Sequence, residues 1–384
     1  MEIDTTVGLL LRAQVITKDG KVRYDSGIKP ADCFLANLFP IWATIWSDSQ
    51  RAPYLKSTGS IDNVGLVVKS SWDSQSAFIS IKYPDSEVVG ITIGDNNVIP
   101  VDWSDTNLAN YIGDGVNPGE LQYGTMDYSD APKVVSGGIE WTLFRDFTNG
   151  SGGNVTVKEI GLISQYNSTY YALIARDLLA SSIVVADSEV LRVFYTFRTE
   201  DGFTLQFLQI IADIWTFRSK ATLIKQVDGD SVAITSTANW DAVPYPMSMY
   251  YAIVSDDIDK AGIIVGSGDT AESVTDYALD AKIEAGDGVG ELRYNIMYVF
   301  AQTSVGYEQF KPNLDGYMRI RFERVFNNRS GASITIREVG LTVAYASNTE
   351  GDEALIIRKV LDTPKVLAND EYTRVFLTIM AKCP

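Results

Sequence analysis

Two glutamates recur in the same company. Glu159 sits in Lys158-Glu-Ile-Gly-Leu162 and Glu338 in Arg337-Glu-Val-Gly-Leu341. Arg145 and Arg324 precede them at equal spacing, and Arg176 and Arg358 follow. A glutamate can serve as a general acid or base, but that work needs a second carboxylate or base across the reacting bond. The repeated pattern supplies arginines instead. The six residues therefore read as structural ion pairs or a hydrogen-bond network, which fixes the strands that meet more than it adds net stability.

Other chemistries lack their residues. The 384 residues include no histidine, which excludes imidazole bases, Ser-His-Asp and Cys-His arrangements and histidine-ligated metals. Cys33 and Cys383 stand in no zinc or redox spacing. Val265-Gly-Ser-Gly-Asp-Thr270 lacks the lysine and hydroxyl of a phosphate-binding loop and reads as a turn. Acidic loops such as Asp256-Asp257-Ile-Asp259 could offer oxygens to calcium, yet none has the twelve-residue calcium-loop spacing, and they read first as solvated surface. The expectation is a protein that is not an enzyme and has no cofactor and no resident metal.

Charge and hydropathy narrow the partners. The formal net charge is -17, against the clustered Lys and Arg of a phosphate-tracking surface, so no nucleic acid is expected. No apolar run reaches the roughly 18 residues that span a bilayer, and no basic-then-apolar leader opens the chain. Membrane binding is not expected, and the chain reads as starting at Met1 and folding in a cytoplasm.

The elements that must position the repeated residues are themselves repeated. Arg145 to Leu162 over Arg324 to Leu341 gives nine identities in eighteen positions, where chance gives about one. Upstream, Gly113-Asp-Gly-Val-Asn-Pro-Gly-Glu-Leu-Gln-Tyr123 is set against Gly286-Asp-Gly-Val-Gly-Glu-Leu-Arg-Tyr294; downstream, Leu173-Ile-Ala-Arg176 answers Leu355-Ile-Ile-Arg358. Ser333-Ile-Thr-Ile-Arg337 alternates with period two, as a half-buried strand does. Asn149-Gly150, Asp228-Gly229 and Ser330-Gly331 supply turns between strands. Leu9 to Ile16 and Val22 to Tyr24 flank a turn and predict a hairpin.

The predicted fold is mainly β: two tandem duplicated β-sandwich or jelly-roll-like domains, each preceded by a short helix. The expected boundaries are 1–52 for an N-terminal hairpin and helix, 53–200 for the first domain, 201–225 for a connecting helix and linker, and 226–384 for the second domain. The helices are read from three-and-four spacing in Pro30 to Trp46 and Thr204 to Phe217. Trp42, Trp46, Leu208 and Trp215 on these helices are candidates for burial against neighbouring subunits or within each unit's own sheet.

The order VGxGDT, DYAL, GELxY, RxFxNxSGxxxTVxEIGL, LIAR resembles structural proteins of tailed bacteriophages. It is carried here by Val265 to Thr270, Asp276-Tyr-Ala-Leu279, Glu291 to Tyr294, Arg324 to Leu341 and Leu355 to Arg358. In the first copy, Ile93-Gly-Asp-Asn96 stands for the first motif and Asn110-Tyr111 for the second. The resemblance implies a virion component made in the host cytoplasm: tail fibre, baseplate or adaptor in preference, capsid surface otherwise. Its partners would be other virion proteins and itself, as a trimer or hexamer, since a ring of duplicated chains doubles its symmetry. The alternative is a carbohydrate-binding or adhesin module in which surface tyrosines stack on a host glycan.

Overall fold

The computed structural model describes residues 1–35, 38, 79–80, 89–96, 98–102, 105, 107–129, 131–166, 170–200, 202–216, 220–224, 231–235, 255–299, 316–344 and 353–382. The protein is mainly β, with 57% of the described residues in strands and a curled sheet; the helix described along its length is the short Leu205–Thr216.

The N-terminal strand Glu2–Ile16 organises the molecule. Ile3, Thr5, Val7 and Leu9 alternate inward from it onto the core, the period-two pattern of a strand with one buried face. It turns through Thr17–Lys21, where Gly20 takes φ 82°, into Val22–Asp25, so the hairpin is as expected. One edge pairs antiparallel with Val190–Thr199; the edge that carries the hairpin partner at its far end pairs parallel with Tyr372–Lys382. Through it, one 12-stranded sheet runs Arg293–Tyr294, Tyr317–Asn327, Tyr372–Lys382, Glu2–Ile16, Val190–Thr199, Gly138–Thr148, Gln122–Tyr123, with five further short strands off this path. The segment read as a separate N-terminal element is thus the seam between the two halves.

Two smaller sheets mirror one another. Gly90–Gly94 pairs with Val155–Tyr166, which pairs with Tyr170–Val185; Gly262–Gly266 pairs with Ile334–Ala344, which pairs with Glu353–Leu367. Irregular steps fall at Val157/Glu159 and Ile336/Glu338, and again at Leu162/Ile163 and Leu341/Thr342. A bulge re-aims the side chain beside it, and here each glutamate follows one directly. Side chains from all these sheets share one core, in which Trp141, Tyr195, Phe34 and Tyr294 are the bulky buried rings.

The two halves point in opposite directions. The Glu2–Ile16 strand is antiparallel to Val190–Thr199 and parallel to Tyr372–Lys382, so these two equivalent closing strands run antiparallel to each other. Odd-numbered residues of both face the core, so the inner face is continuous across the seam.

Two helix expectations change. Cys33–Phe34 is a strand, paired with Arg176 and Ala175, and the Leu35 N–H continues it onto the Ile174 carbonyl, so the helix read from Pro30 cannot begin there. The open edge of Tyr170–Val185 overrides local helical spacing. Leu38 is helical, while Trp42 and Trp46 lie outside the described residues. Leu208 lies in the chain's own core with Phe207, Ile210, Ile211 and Ala212, so it is already covered and does not form a subunit face. The helix is apolar on nearly every side, the mark of a buried helix rather than a surface stripe. The Trp215 side chain lies outside the described residues.

Candidate functional site

The bulge before Glu159 turns its carboxylate inward, where it is completely buried. One oxygen accepts the Asn110 N–H at 2.9 Å; the other accepts the Ala109 N–H at 3.2 Å and the Arg176 Nε and Nη2 at 3.1 and 2.9 Å. Arg176 continues outward, donating to Asp105 at 2.7 Å and to the Ile99 and Pro100 carbonyls. The second half repeats this. Glu338 accepts from the Gly268, Asp280 and Ala281 N–H groups and from Arg358 Nε at 2.9 Å. Arg358 reaches Asp276 at 2.7 Å and the Thr270 and Ala271 carbonyls.

Burial alone would lower the affinity of both guanidinium groups for their proton. The hydrogen bonds to Asp105 and Glu159, and to Asp276 and Glu338, outweigh it and raise both pKa values. Each cluster holds one cation between two carboxylates and ties residues outside the inner sheet to it: Ile99, Pro100, Asp105, Ala109 and Asn110 in one, and Gly268, Thr270, Ala271, Asp276, Asp280 and Ala281 in the other. The expected ion pair is present as Glu159 with Arg176 and Glu338 with Arg358, with the two aspartates as members that the sequence comparison passed over. Their signal was an Asp three residues before a leucine: Asp105 before Leu108 and Asp276 before Leu279. Asp105 and Leu108 thus hold the places that Asp276 and Leu279 hold in Asp276-Tyr-Ala-Leu279. Asn110 answers Ala281 instead, since their backbone N–H groups meet the equivalent glutamates.

Arg145 and Arg324 belong to a different arrangement. Neither meets the glutamate; each is buried and gathers backbone carbonyls. Arg145 donates to Gly124, Val89 and Ile91, and Arg324 to Asn295, Ala261 and Ile263, at 2.7 to 3.2 Å. Tyr123 and Tyr294 lie under the two guanidinium groups at 4.8 and 4.9 Å. The physical reason is strand phase: the main-sheet strands carrying Arg145 and Arg324 face strand ends whose carbonyls need donors, whereas Glu159 and Glu338 face loops. Burial lowers the Arg324 pKa to about 10.

The turns match with no gap, which corrects the alignment of the Gly-Asp-Gly-Val segments. Gly115 N–H bonds the Leu121 carbonyl as Gly286 N–H bonds that of Leu292, and the Asn117 and Gly288 N–H groups bond Glu120 and Glu291. Gly115 therefore answers Gly286, and the gap drawn from the sequence was a two-residue slip. The weak calcium candidates are also committed elsewhere. Asp256 and Asp257 accept the Ile296 and Tyr294 N–H groups, and Asp259 pairs with Lys282 at 3.1 Å. Among the described residues no group of three or more metal-ligating side chains occurs.

One buried carboxylate has no counterpart. Asp177 accepts from Tyr195 Oη at 2.5 Å and from the Asp32 N–H, while Lys359 takes its place in the other half. Burial raises its pKa to about 7. Chemically, the two glutamate clusters are fasteners: the carboxylate lone pairs are spent on the chain's own backbone N–H groups and on Arg176 or Arg358. Comparison with known protein families, with curated proteins and with solved structures returned no match for this chain.

Proposed function

We propose that the chain is a non-enzymatic structural protein of a tailed-bacteriophage particle, a tail fibre, baseplate or adaptor component in preference to a capsid-surface one. It works by assembling with itself and docking on other virion proteins. The observation that carries this reading is the clamp built twice, Glu159–Arg176–Asp105 and Glu338–Arg358–Asp276, which holds equivalent loops rigidly in two halves of one continuous sheet. Rigid, repeated presentation of surface without a committed reactive group is what an assembly part needs. The matched bulges, turns and buried arginines favour tandem duplication of a sandwich or jelly-roll-like unit.

Self-association is expected as a trimer or hexamer. Because the halves point in opposite directions, such a ring carries like surfaces on its two faces rather than a doubled set on one. Multi-angle light scattering at micromolar concentration, with negative-stain images, tests this: a closed oligomer is expected, and a monomer at every concentration overturns it. Tyr277, Tyr298 and Tyr372 are exposed, which favours host-glycan binding as the second reading. Binding on a glycan array by a chain that stays monomeric would select it.

A further inference from the structure

Each smaller sheet has an edge closed by an incoming segment. In the first half Lys29–Pro30 pairs with the Glu2–Ile16 strand, Cys33–Phe34 pairs with Arg176 and Ala175, and the Leu35 N–H bonds the Ile174 carbonyl. In the second half Phe203 bridges Ile357, the Arg358 N–H bonds the Gly202 carbonyl, and the Thr204 N–H bonds the Ile356 carbonyl. Ala175 and Ile357 face the equivalent residues Leu162 and Leu341, so Phe34 and Phe203 are counterparts, and both are buried.

The two segments are locked differently. Asp32 and the strand edge exchange bonds: the Asp32 N–H donates to Asp177 Oδ1, and the Leu178 N–H donates to Asp32 Oδ2 at 2.8 Å. Tyr195 Oη reaches the other Asp177 oxygen from the main sheet at 2.5 Å. Three elements therefore converge on one buried carboxylate. In the second half Val360 takes the place of Leu178, and its N–H donates to Glu272 at 2.7 Å, with Lys359 Nζ 3.2 Å from the same carboxylate. Neither residue belongs to the closing segment, which is held instead by Thr204 Oγ1 on the Leu355 carbonyl at 2.6 Å.

Among the described residues, the titratable groups that face Asp177 are Tyr195 from the main sheet and Asp32 from the closing segment; on the paired strand it is opposed by Ile160. Arg176, next in the chain, is turned to Glu159 and Asp105. An ionised Asp177 thus meets a second carboxylate in a site sheltered from water, which disfavours the charged form. We propose that residues 29–35 form a pH-sensitive strap: with Asp177 protonated it lies closed on the edge of Tyr170–Val185, and loss of that proton loosens it, while the segment 202–204 stays closed. Burial puts the Asp177 pKa at about 7 with the strap closed, against 3.8 when the group is free in water. Closure is therefore tightest in acid, weakens as pH rises between those values, and changes no further above them.

Hydrogen–deuterium exchange on the full chain at pH 5 and pH 8.5, corrected for intrinsic rates, tests this. Protection of the Asp32, Leu35 and Leu178 N–H groups should fall about 100-fold between the two, the amount that the two pKa values set. The Thr204, Arg358 and Val360 N–H groups should keep theirs. Asp177→Asn should flatten the response of the strap. Tyr195→Phe, which removes the bond that favours the charged form, should carry the loosening to higher pH. An equal fall in both halves, a strap whose protection is independent of pH, or a full response in Asp177→Asn overturns the proposal.

Discussion

Asp177 gives the most quantitative handle on this fold. Its side chain is buried between two sheets, with Tyr195 Oη and the Asp32 N–H as donors. Among the described residues, the charged neighbour that acts on it is Asp32, whose own carboxylate accepts the Leu178 N–H and repels it. Burial is the dominant cause of the rise from 3.8 to about 7, and the tyrosine hydrogen bond only partly offsets it. The folded chain therefore keeps a proton that the unfolded chain releases between about pH 4 and pH 7. Stability contributed by the neutral form is lost as pH rises through that window, and the loss is complete above it. Three pKa units correspond to about 4 kcal/mol. Asp177→Asn removes the titration while keeping an acceptor for Asp32 and a donor toward Tyr195. At pH 4 the variant should match the wild type within about 1 kcal/mol. At pH 8.5 it should be more stable by an amount on the order of 4 kcal/mol. Urea denaturation at both pH values checks this, and the general repulsion of a chain at -17 cancels in the comparison. Parallel pH profiles for the two proteins would refute the reasoning.

Further outcomes follow from the clamps and loops. Glu159→Gln and Glu338→Gln each leave a buried guanidinium short of charge, so each should cost about 3–5 kcal/mol in urea denaturation, and by similar amounts in the two halves. Gly266→Ala places a Cβ 2.4 Å from Glu338 Oε1 and 2.7 Å from the Ala281 carbonyl, so it should cost about 2 kcal/mol or more, read from the thermal midpoint. Prolonged chelator treatment should leave the melting temperature within about 2 °C, because Asp256, Asp257 and Asp259 already serve backbone N–H groups and Lys282.

Local pattern was enough for the β class, the Lys18–Lys21 hairpin and the pairing of Arg145–Leu162 with Arg324–Leu341. Alternation and turn chemistry act over a few residues and leave their mark in the sequence. Identity of side chains also showed that Glu159 and Glu338 do one job. Their partners were set by strand phase and bulges, which no spacing encodes. Thus Arg176 and Arg358 meet the glutamates while Arg145 and Arg324 turn to carbonyls. Asp105 and Asp276 were hidden because loops diverge between the halves while the backbone path is kept. Leu208 shows the same limit from the other side: helical spacing marks an apolar face, but only packing decides whether the chain's own core or another molecule covers it. The opposed direction of the two halves depends on one strand, Glu2–Ile16, choosing a parallel neighbour at one edge and an antiparallel one at the other. That choice is made by contacts nearly the whole chain length apart, so the tertiary structure alone decides it.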